Sequence, residues 1–193
     1  MTMAFRHPSA RRLTLATILT SITLCVVLVC SRAETGRPVP PTGTATWQVY
    51  FSPRGGCTAA IIRTLGTAQT SIYVQAYSFT SALIAQALVD AHKRGVHVEV
   101  LLDKSQRTEK YSSADFLAHA GIPTYIDAAH AISHNKIMII DGATVVTGSF
   151  NFTQSAEEKN AENLLVLTDP ALAARYTANW REHQAHSAVY RGK

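Results

Sequence analysis

The sequence predicts an α/β domain in which helices flank a central mixed β-sheet. Short apolar runs typical of buried strands alternate with stretches of helical length, which is the pattern of a layered domain with a partly parallel sheet. An Asp141-Gly142 pair joins two adjacent apolar runs and signals a tight turn, so part of the sheet is predicted to be antiparallel. With 193 residues, 47% of them apolar, the chain is long enough for one domain with a substantial core.

Each predicted element has its own local signal. Strands are predicted where apolar and β-branched residues run together, at 47–51, 71–79, 96–103, 122–126, 137–141, 144–148 and 163–168. Helices are predicted at 57–68, 81–93, 112–120 and 170–186. Thr80 or Ser81 supplies the N-cap of the second helix, and Gly95 ends it. Pro170 occupies the first turn of the last helix.

Residues 1–33 are predicted to form a secretory signal peptide. Arg6, Arg11 and Arg12 precede an uncharged apolar stretch at 13–30, and small residues suitable for signal peptidase follow it. A retained membrane anchor is the alternative, because about 18 apolar residues lie at the lower limit of a bilayer span. We therefore expect a secreted or periplasmic protein, attached to a membrane through 13–30 if the segment is not cleaved.

A linker is predicted at 34–45, where Pro, Gly and Thr are frequent, and the folded catalytic domain is predicted at 46–193. The formal net charge of +5 is concentrated before this domain. Four of the 18 basic residues and none of the 13 acidic residues precede Glu34, so the rest of the chain carries a net charge of only +1. Overall charge thus gives weak support for a nucleic-acid partner, and any electropositive surface must be local.

Cysteine use excludes an intramolecular disulfide in a processed chain. Cys25 and Cys30 lie within the apolar N-terminal stretch, which leaves Cys57 alone in the predicted domain. A nucleophilic thiol needs a base beside it, and the neighbouring sequence offers none. Cys57 is therefore interpreted as a small packing residue.

Polar residues bracket the two strands of the predicted hairpin. His134 and Lys136 precede the first strand and, being two residues apart, can face the same side. Ser149 and Asn151 repeat this spacing after the second strand, and the hairpin brings the two pairs together. An imidazole, a cation and two hydrogen-bonding groups suit a phosphodiester, because the imidazole can attack phosphorus while the others hold the oxygens.

The pattern H-x-K-x4-D-x6-G-S-x-N that begins at His134 resembles the signature of the phospholipase D superfamily at every position. The stretches YFSPRGG, VQAYSFTS and ALVDAHKRGVHVEVLLDKSQ are also similar to the small bacterial endonucleases of that superfamily, which carry a single motif. The resemblance extends from about Trp47 to the last helix. It implies a phospholipase D-like fold and phosphodiester hydrolysis without a metal or other cofactor. Within the motif, Asp141 and Gly148 are interpreted as structural, since the hairpin puts Asp141 at the far end of the strand.

The resemblance also implies a role for each polar residue of the motif. His134 would be the nucleophile that forms a phosphohistidine. Lys136, Ser149 and Asn151 would bind phosphate oxygens. Glu162 follows Asn151 by eleven residues, at the position where the family has an acid that hydrogen-bonds the catalytic histidine.

A homodimer follows from the single motif. Family chemistry uses two histidines, one to attack phosphorus and one to protonate the leaving group, whereas this chain has one His-x-Lys sequence. The second His134 must then come from another subunit, which predicts a two-fold dimer with the active site shared on its axis.

Three functions stay open at this level. The first is a nuclease acting on DNA or RNA. The second is a phospholipase D that hydrolyses phospholipid head groups by the same mechanism, because both substrates present a phosphodiester. The third is an inactive module that binds nucleic acid or membrane, against which the complete set of motif residues argues. The lack of an obvious amphipathic lipid-binding helix favours the nuclease.

Histidines outside the motif are not predicted to act. His130 and His134 are four residues apart and could ligate zinc on a helix, but HAISH lacks the glutamate of H-E-x-x-H and a strand assignment spoils the geometry. No metal site is therefore predicted. His183 and His186 fall on the last helix and are expected to be solvated.

Two further groups have alternative interpretations. A basic set either lines a groove for a phosphate backbone or forms a solvated face; its members are Lys93, Arg94, Lys104, Arg107 and Lys110. Three aromatic residues either stack on bases or pack in the core, with core packing favoured; they are Tyr77, Phe79 and Phe152.

Overall fold

The computed structural model describes residues 45–193, which form one eight-stranded mixed sheet with helices against both faces. The predicted fold class is confirmed. The strands are β1 (Thr46–Ser52), β2 (Ser71–Ala76), β3 (His97–Asp103), β4 (Thr124–Asp127), β5 (Lys136–Ile140), β6 (Thr144–Gly148), β7 (Glu162–Thr168) and β8 (Ala188–Tyr190). The helices are α1 (Cys57–Gly66), α2 (Ala82–Lys93), α3 (Ala114–His119), α4 (Gln154–Glu158) and α5 (Pro170–Ala185), with a 3-10 helix at Lys104–Arg107. The predicted signal peptide at 1–33 and all but the last residue of the predicted linker at 34–45 lie outside the described residues.

The strands are arranged in the order β1-β7-β6-β5-β2-β3-β4-β8. The pairs β2–β3 and β3–β4 are parallel because α2 and α3 carry the chain back between them, and the other neighbours are antiparallel. As a result, one side of the sheet contains the ends of β1, β2, β3, β4 and β6 and the starts of β5 and β7. We call this side the carboxyl edge.

Two apolar layers hold the helices to the sheet. On one face, α1, α2 and α3 bury side chains such as Ile61, Leu88 and Leu117 against β2, β3 and β5. On the other face, α5 packs through Trp180, whose indole N–H donates to the carbonyl oxygen of Val74 at 2.9 Å. Since a buried indole covers a large apolar area and its N–H is satisfied, this contact fixes α5 on the sheet.

The β5–β6 hairpin has the predicted turn. Asp141 and Gly142 both have positive φ, 53° and 61°, which is the backbone conformation that Asp-Gly adopts readily in a two-residue hairpin. All five residues of β5 are buried, so the hairpin lies in the middle of the sheet and its ends are fixed by the core.

The sequence did not predict α4, β8 or the 3-10 helix, because elements of three to five residues are too short to show a period. The strand predicted at 71–79 is shorter than expected and ends at Ala76. Beyond it the Thr80 and Ser81 amides donate to the carbonyl oxygen of Phe152, so the chain leaves β2 to pair with the segment after β6. None of the helices among residues 45–193 is long and apolar enough to cross a membrane.

Candidate active site

The polar ends of the motif meet at the carboxyl edge. His134 lies just before β5 and Lys136 is its first residue, whereas Ser149 and Asn151 follow the last residue of β6. Because β5 and β6 are antiparallel neighbours, the start of one strand lies beside the end of the other. The hairpin thus brings together the residues that the sequence predicted it would.

His134 and Lys136 contact each other and share Tyr77. The Lys136 Nζ atom lies 3.3 Å from both ring nitrogens of His134 and donates to the His134 carbonyl oxygen at 3.0 Å. The Tyr77 ring centroid is 4.5 Å from that of His134 and 5.1 Å from Lys136 Nζ. Tyr77 therefore restricts the imidazole on one side and offers its ring face to the ammonium.

The Lys136 ammonium has the charge and the free N–H donor needed to bind an anion. Its side chain is buried, and this burial lowers its pKa below the ordinary 10.5, although the negative charge of Glu162 opposes the shift. An ammonium has three N–H donors, of which the carbonyl oxygen of His134 uses one and its imidazole can use one more. At least one donor is left for a ligand, in a position where water screens the charge poorly.

Ser149 and Glu162 form a second polar pair. The Ser149 hydroxyl donates to Glu162 Oε2 at 2.6 Å, and Asn160 Nδ2 donates to Glu162 Oε1 at 3.2 Å. The hydrogen bond from Glu162 to His134 that the resemblance implies is not among the contacts of the described chain. The two carboxylate oxygens of Glu162 accept from Ser149 and Asn160 instead.

Asn151 has an unsatisfied group at this edge. Its Oδ1 atom is buried, and within residues 45–193 it is the one such side-chain oxygen or nitrogen without a hydrogen-bond partner. Leaving a polar atom in this state costs about 1–3 kcal/mol, so orphaned groups of this kind often belong to binding sites. Turning the amide by 180° would present its NH₂ group to an anion instead.

Comparison with known proteins agrees with this geometry. The family described as "Cardiolipin synthase, PLD-like domain" matches residues 61–183, which include every polar residue of the site. The chain belongs to the phospholipase D superfamily. This assignment makes it a phosphoric diester hydrolase.

Individual relatives cover most of the described domain. A protein named phospholipase D from Rickettsia typhi is 41% identical over 152 residues, which are 79% of this chain and 74% of the relative. A mitochondrial cardiolipin hydrolase from Chlamydomonas reinhardtii is 35% identical over 58% of this chain and half of its own length. The crystal structure of Nuc, a phospholipase D family member from Salmonella typhimurium, aligns with a TM-score of 0.75 at 39% identity, covering 77% of this chain and all of Nuc.

The phospholipase D motif continues to the opposite end of the hairpin at Asp141. Its carboxylate accepts the backbone N–H groups of Gln69, Thr70 and Ser71 at 2.8–3.0 Å and the Thr70 hydroxyl at 2.9 Å. Burial raises its pKa, but these hydrogen bonds outweigh burial, so the pKa lies below the ordinary value of 3.8. The structure thus places Asp141 away from the polar site, as a link between the turn and the chain entering β2.

Gly148 is the other non-catalytic position of the motif. Its φ is +143°, and a Cβ atom at this position would meet the carbonyl oxygen of Asn163 at 2.3 Å. Glycine is therefore required both by the backbone conformation and by the close approach of β7. The approach lets the backbone amides of Ser149 and Phe150 donate to that same carbonyl oxygen.

Cys57 and two of the three aromatic residues belong to the core. Cys57 is fully buried. Burial, and to a smaller extent the nearby charge of Glu157, raises the pKa of its thiol to about 11, so the thiol stays protonated and inert. Phe79 and Phe152 are fully buried against each other with ring centroids 5.7 Å apart. The prediction of core packing is confirmed for these residues, whereas Tyr77 lies in the site.

The basic set is divided between two ends of the sheet. Lys93 and Arg94 lie where α2 ends, opposite the carboxyl edge, and Arg94 donates to the last carbonyl oxygens of α1. Lys104, Arg107 and Lys110 follow β3 at the carboxyl edge and are exposed. The interpretation in which all five residues line one groove is therefore wrong. Three of them nevertheless lie on the same side of the sheet as His134.

The expectation of solvated histidines on the last helix is wrong for His183. Its side chain is 16% exposed, and its Nδ1 atom lies 3.0 Å from a carboxylate oxygen of the buried Asp127. His130 contacts the same carboxylate at 2.9 Å and so turns away from the zinc arrangement considered for HAISH. Sequence reasoning missed Asp127 because His183 lies 56 residues further along the chain. It favoured a core position for Tyr77 because the end of β2 was set too late.

Proposed function

We propose that this protein is a secreted or periplasmic endonuclease that hydrolyses DNA or RNA without a metal ion in the reaction. The observation that carries the proposal is the charge beside the His134–Lys136 pair. Lys104, Arg107 and Lys110 follow β3 at the carboxyl edge, where their exposed side chains can meet further phosphates of an extended substrate.

Arg54 adds an exposed cation on the other side of the edge, since it follows β1. Basic residues thus flank the site from both directions along the edge. A nucleic acid carries a phosphate at every nucleotide and can engage both sides at once, whereas a lipid head group offers one or two phosphates.

In the proposed reaction His134 is the nucleophile. An imidazole nitrogen attacks phosphorus in line, and the P–N bond forms as the bond to the leaving oxygen breaks. The leaving oxygen takes a proton from the partner subunit's His134. That imidazole then removes a proton from water, whose oxygen attacks phosphorus and breaks the P–N bond, which releases the phosphomonoester and restores both histidines.

The other motif residues stabilise the negative charge that grows on the phosphate oxygens. The spare N–H donor of Lys136 can point at these oxygens directly, and the Asn151 amide, whose Oδ1 atom has no partner to lose, can turn its NH₂ group towards them. Ser149 differs, because its hydroxyl hydrogen is engaged by Glu162 and must turn to reach a ligand. We therefore rank Lys136 and Asn151 above Ser149 as oxygen-binding residues.

A homodimer is part of the proposal, because the described chain contains one motif histidine. The side chains of β1 that could form the interface are Trp47, Val49 and Phe51, which alternate along the strand and therefore face the same way; Trp47 is 67% exposed and Phe51 is 64% exposed. Their neighbours on β7, Leu167 and Leu165, extend this apolar stripe. A contiguous exposed apolar surface is typical of a protein interface.

The apolar stripe adjoins the active site, which supports its use by a second copy. Phe51 pairs with Asn163, whose backbone N–H donates to the Ser149 hydroxyl at 3.1 Å. A subunit seated on this stripe would stand next to the carboxyl edge, where its own His134 is needed.

Phospholipid is the second candidate substrate, and one observation favours it. Tyr111 and Ile132 are large exposed side chains, 69% and 57%, in the segments near the carboxyl edge. Apolar side chains of this kind can enter the interfacial region of a lipid surface. The relatives named phospholipase D and cardiolipin hydrolase are consistent with such a substrate.

One experiment separates the candidate functions. The protein lacking residues 1–33 is incubated with supercoiled plasmid DNA, with single-stranded RNA and with phosphatidylcholine vesicles, each in EDTA, and His134→Ala is the matched control. A nuclease nicks the plasmid or cleaves the RNA and releases no choline. Choline release with intact nucleic acid would establish the phospholipase instead, and equal binding without turnover by both proteins would establish the inactive module.

Substitution within the apolar stripe tests the proposed dimer. Phe51→Glu should yield a monomer by light scattering and lose hydrolysis, whereas Leu83→Glu, at an equally exposed apolar position on α2, should leave both unchanged. Mixed dimers with one His134→Ala chain should be severely impaired rather than half active. An active monomer of the Phe51→Glu variant would overturn the shared site.

Export is tested separately through the N-terminus. Sequencing the protein recovered from the periplasm should find a chain that begins near Glu34. Recovery of the full-length chain in the membrane fraction would support attachment through 13–30.

A further inference from the structure

Three histidines and one aspartate converge at the carboxyl edge, at a place that the proposed hydrolysis does not use. Asp127 ends β4, His130 follows it in the next loop, and His183 and His186 lie at the end of α5. One ligand atom from each of the four residues can be chosen so that all lie within 4.8 Å of one another. The sequence spacing is also regular, since each pair is three residues apart.

The distances from the carboxylate to the imidazole nitrogens are close to those between two ligands of one zinc ion. Zinc binds nitrogen and oxygen at about 2.0–2.1 Å, so two ligand atoms at a tetrahedral angle are separated by about 3.3 Å. The Asp127 carboxylate oxygens lie 2.9 Å from His130 Nδ1, 3.0 Å from His183 Nδ1 and 3.5 Å from His186 Nε2. Small side-chain rotations would equalise these distances.

The Asp127 carboxylate is buried and held in one orientation. Asp127 is fully buried, and the backbone N–H of Ala129 donates to its Oδ1 atom at 3.0 Å. A buried, preoriented carboxylate is the group that a cation needs.

Hydrogen bonding alone explains this cluster poorly. The contact between His186 and Asp127, at 3.5 Å, is too long for a strong hydrogen bond, and the three imidazole rings are crowded with centroids 4.7–5.4 Å apart. A divalent cation would use the nitrogen lone pairs and balance the buried carboxylate.

We propose that Asp127, His130, His183 and His186 bind a structural zinc ion that fastens the end of α5 to the loop after β4. Imidazole and carboxylate ligands suit zinc, and four protein ligands leave no open position for catalysis. The strands β2 and β3 separate β4 from β5, so the ion would not contact a phosphate held by Lys136. The proposal is independent of the substrate and of the reaction.

The expected consequence is conformational stability at the edge. The ion would connect residues 56 apart in the chain and hold the loop that leads from Asp127 to His134. That loop has two further anchors, from Lys104 Nζ to the His130 carbonyl oxygen and from the Ser133 N–H to the buried Asp103 carboxylate. Removing zinc should therefore lower the melting temperature and loosen the loop without removing any catalytic group.

The test uses the chain lacking residues 1–33, prepared without a histidine tag and freed of metal. Isothermal titration with Zn²⁺ should give one site per chain, and saturating zinc should raise the melting temperature by several degrees, roughly 4 °C or more. Co²⁺ in place of Zn²⁺ should give the visible absorption of a tetrahedral complex. Hydrolysis at a temperature well below the transition should persist in EDTA.

Matched variants locate the ion. His183→Gln combined with His186→Gln should keep the circular dichroism of the folded protein and lose both zinc binding and the melting shift. His92→Gln, at a histidine in the last turn of α2, should keep both. Unchanged zinc stoichiometry in the double variant, or no zinc binding by the wild-type chain, would overturn the proposal. Should the double variant fail to fold, His130→Gln, at a half-exposed ligand, replaces it with the same expected outcomes.

Discussion

The two ends of the β5–β6 hairpin carry parts of one sequence motif but differ in how completely their polar groups are paired. At the turn end, Asp141 accepts four hydrogen bonds, from three backbone amides and one hydroxyl. At the carboxyl edge, the Asn151 Oδ1 atom is buried without a partner, and Lys136 retains an N–H donor beyond its contacts with His134. Polar groups at the turn end are fully paired and stabilise the fold, whereas those at the carboxyl edge keep unused hydrogen-bonding capacity.

This difference shows how one motif can contain two kinds of residue. An ionised carboxylate that accepts several hydrogen bonds stabilises the folded state. A buried ammonium and an orphaned carbonyl oxygen destabilise it, and the proposed binding of an anion, with the Asn151 amide turned to present its NH₂ group, would account for their retention. The same family signature should therefore separate experimentally into positions that govern activity and a position that governs stability.

The largest effect is expected at His134. His134→Ala removes the proposed nucleophile, so kcat should fall by at least about 10⁴-fold. The melting temperature should change little, because the side chain is exposed. Steady-state kinetics and thermal unfolding of the same preparation check both parts, and near-normal turnover would rule out the phosphohistidine route.

Replacing Lys136 with methionine should be the next largest change. The loss of one positive charge at the phosphate should lower kcat by about 10²–10³-fold. Because methionine removes a buried ammonium and keeps a similar volume, the free energy of unfolding should stay the same or rise. Denaturant unfolding checks the second part. A variant that is both inactive and clearly less stable would mean that Lys136 supports the fold.

Asp141→Asn should have the opposite effect. The amide keeps the size and tolerates the positive φ, but it cannot accept the hydrogen bonds as a carboxylate does, so stability at neutral pH should fall by about 2 kcal/mol with kcat unchanged. Because the folded pKa lies below 3.8, the difference from wild type should be fully present above that value and disappear as the pH falls through the folded pKa.

Denaturant unfolding at several pH values measures this difference. Asp90→Asn, at an exposed acid on α2, is the control and should change stability by less than about 0.5 kcal/mol. A loss of activity in Asp141→Asn without a loss of stability would show that the turn end takes part in catalysis.

Much of the fold could be predicted because its signals are local. The Asp141-Gly142 turn fixes the hairpin, and the i, i+2 spacing of His134 and Lys136 places both at the start of one strand. These two facts suffice to put the motif pairs at the same edge. They depend on neighbours within about 20 residues.

Contacts that join distant parts of the chain could not be predicted in the same way. The Ser149 hydroxyl donates to the Glu162 carboxylate because β6 and β7 are neighbours, and the sequence does not reveal this strand order. Tyr77 reaches His134 because β2 ends early, where the Tyr77 amide donates to the carbonyl oxygen of Asn135. The approach of His183 to Asp127 depends on where α5 ends relative to β4.

The smallest predicted effect is on the pH above which activity is lost. It concerns Lys136, at the carboxyl-edge end of the β5–β6 hairpin. Burial lowers the Lys136 pKa, so hydrolysis should decline as the pH rises through a value below 10.5. In this window the unfolded chain binds more protons at Lys136 than the folded chain, so the contribution of Lys136 to stability rises with pH. Unfolding linked to this residue therefore cannot cause the decline. Lys136→Arg, which stays charged, should have lower activity but a limit shifted to higher pH. The pH dependence of kcat for both proteins measures the shift, and an identical alkaline limit in the two would assign the decline to another group.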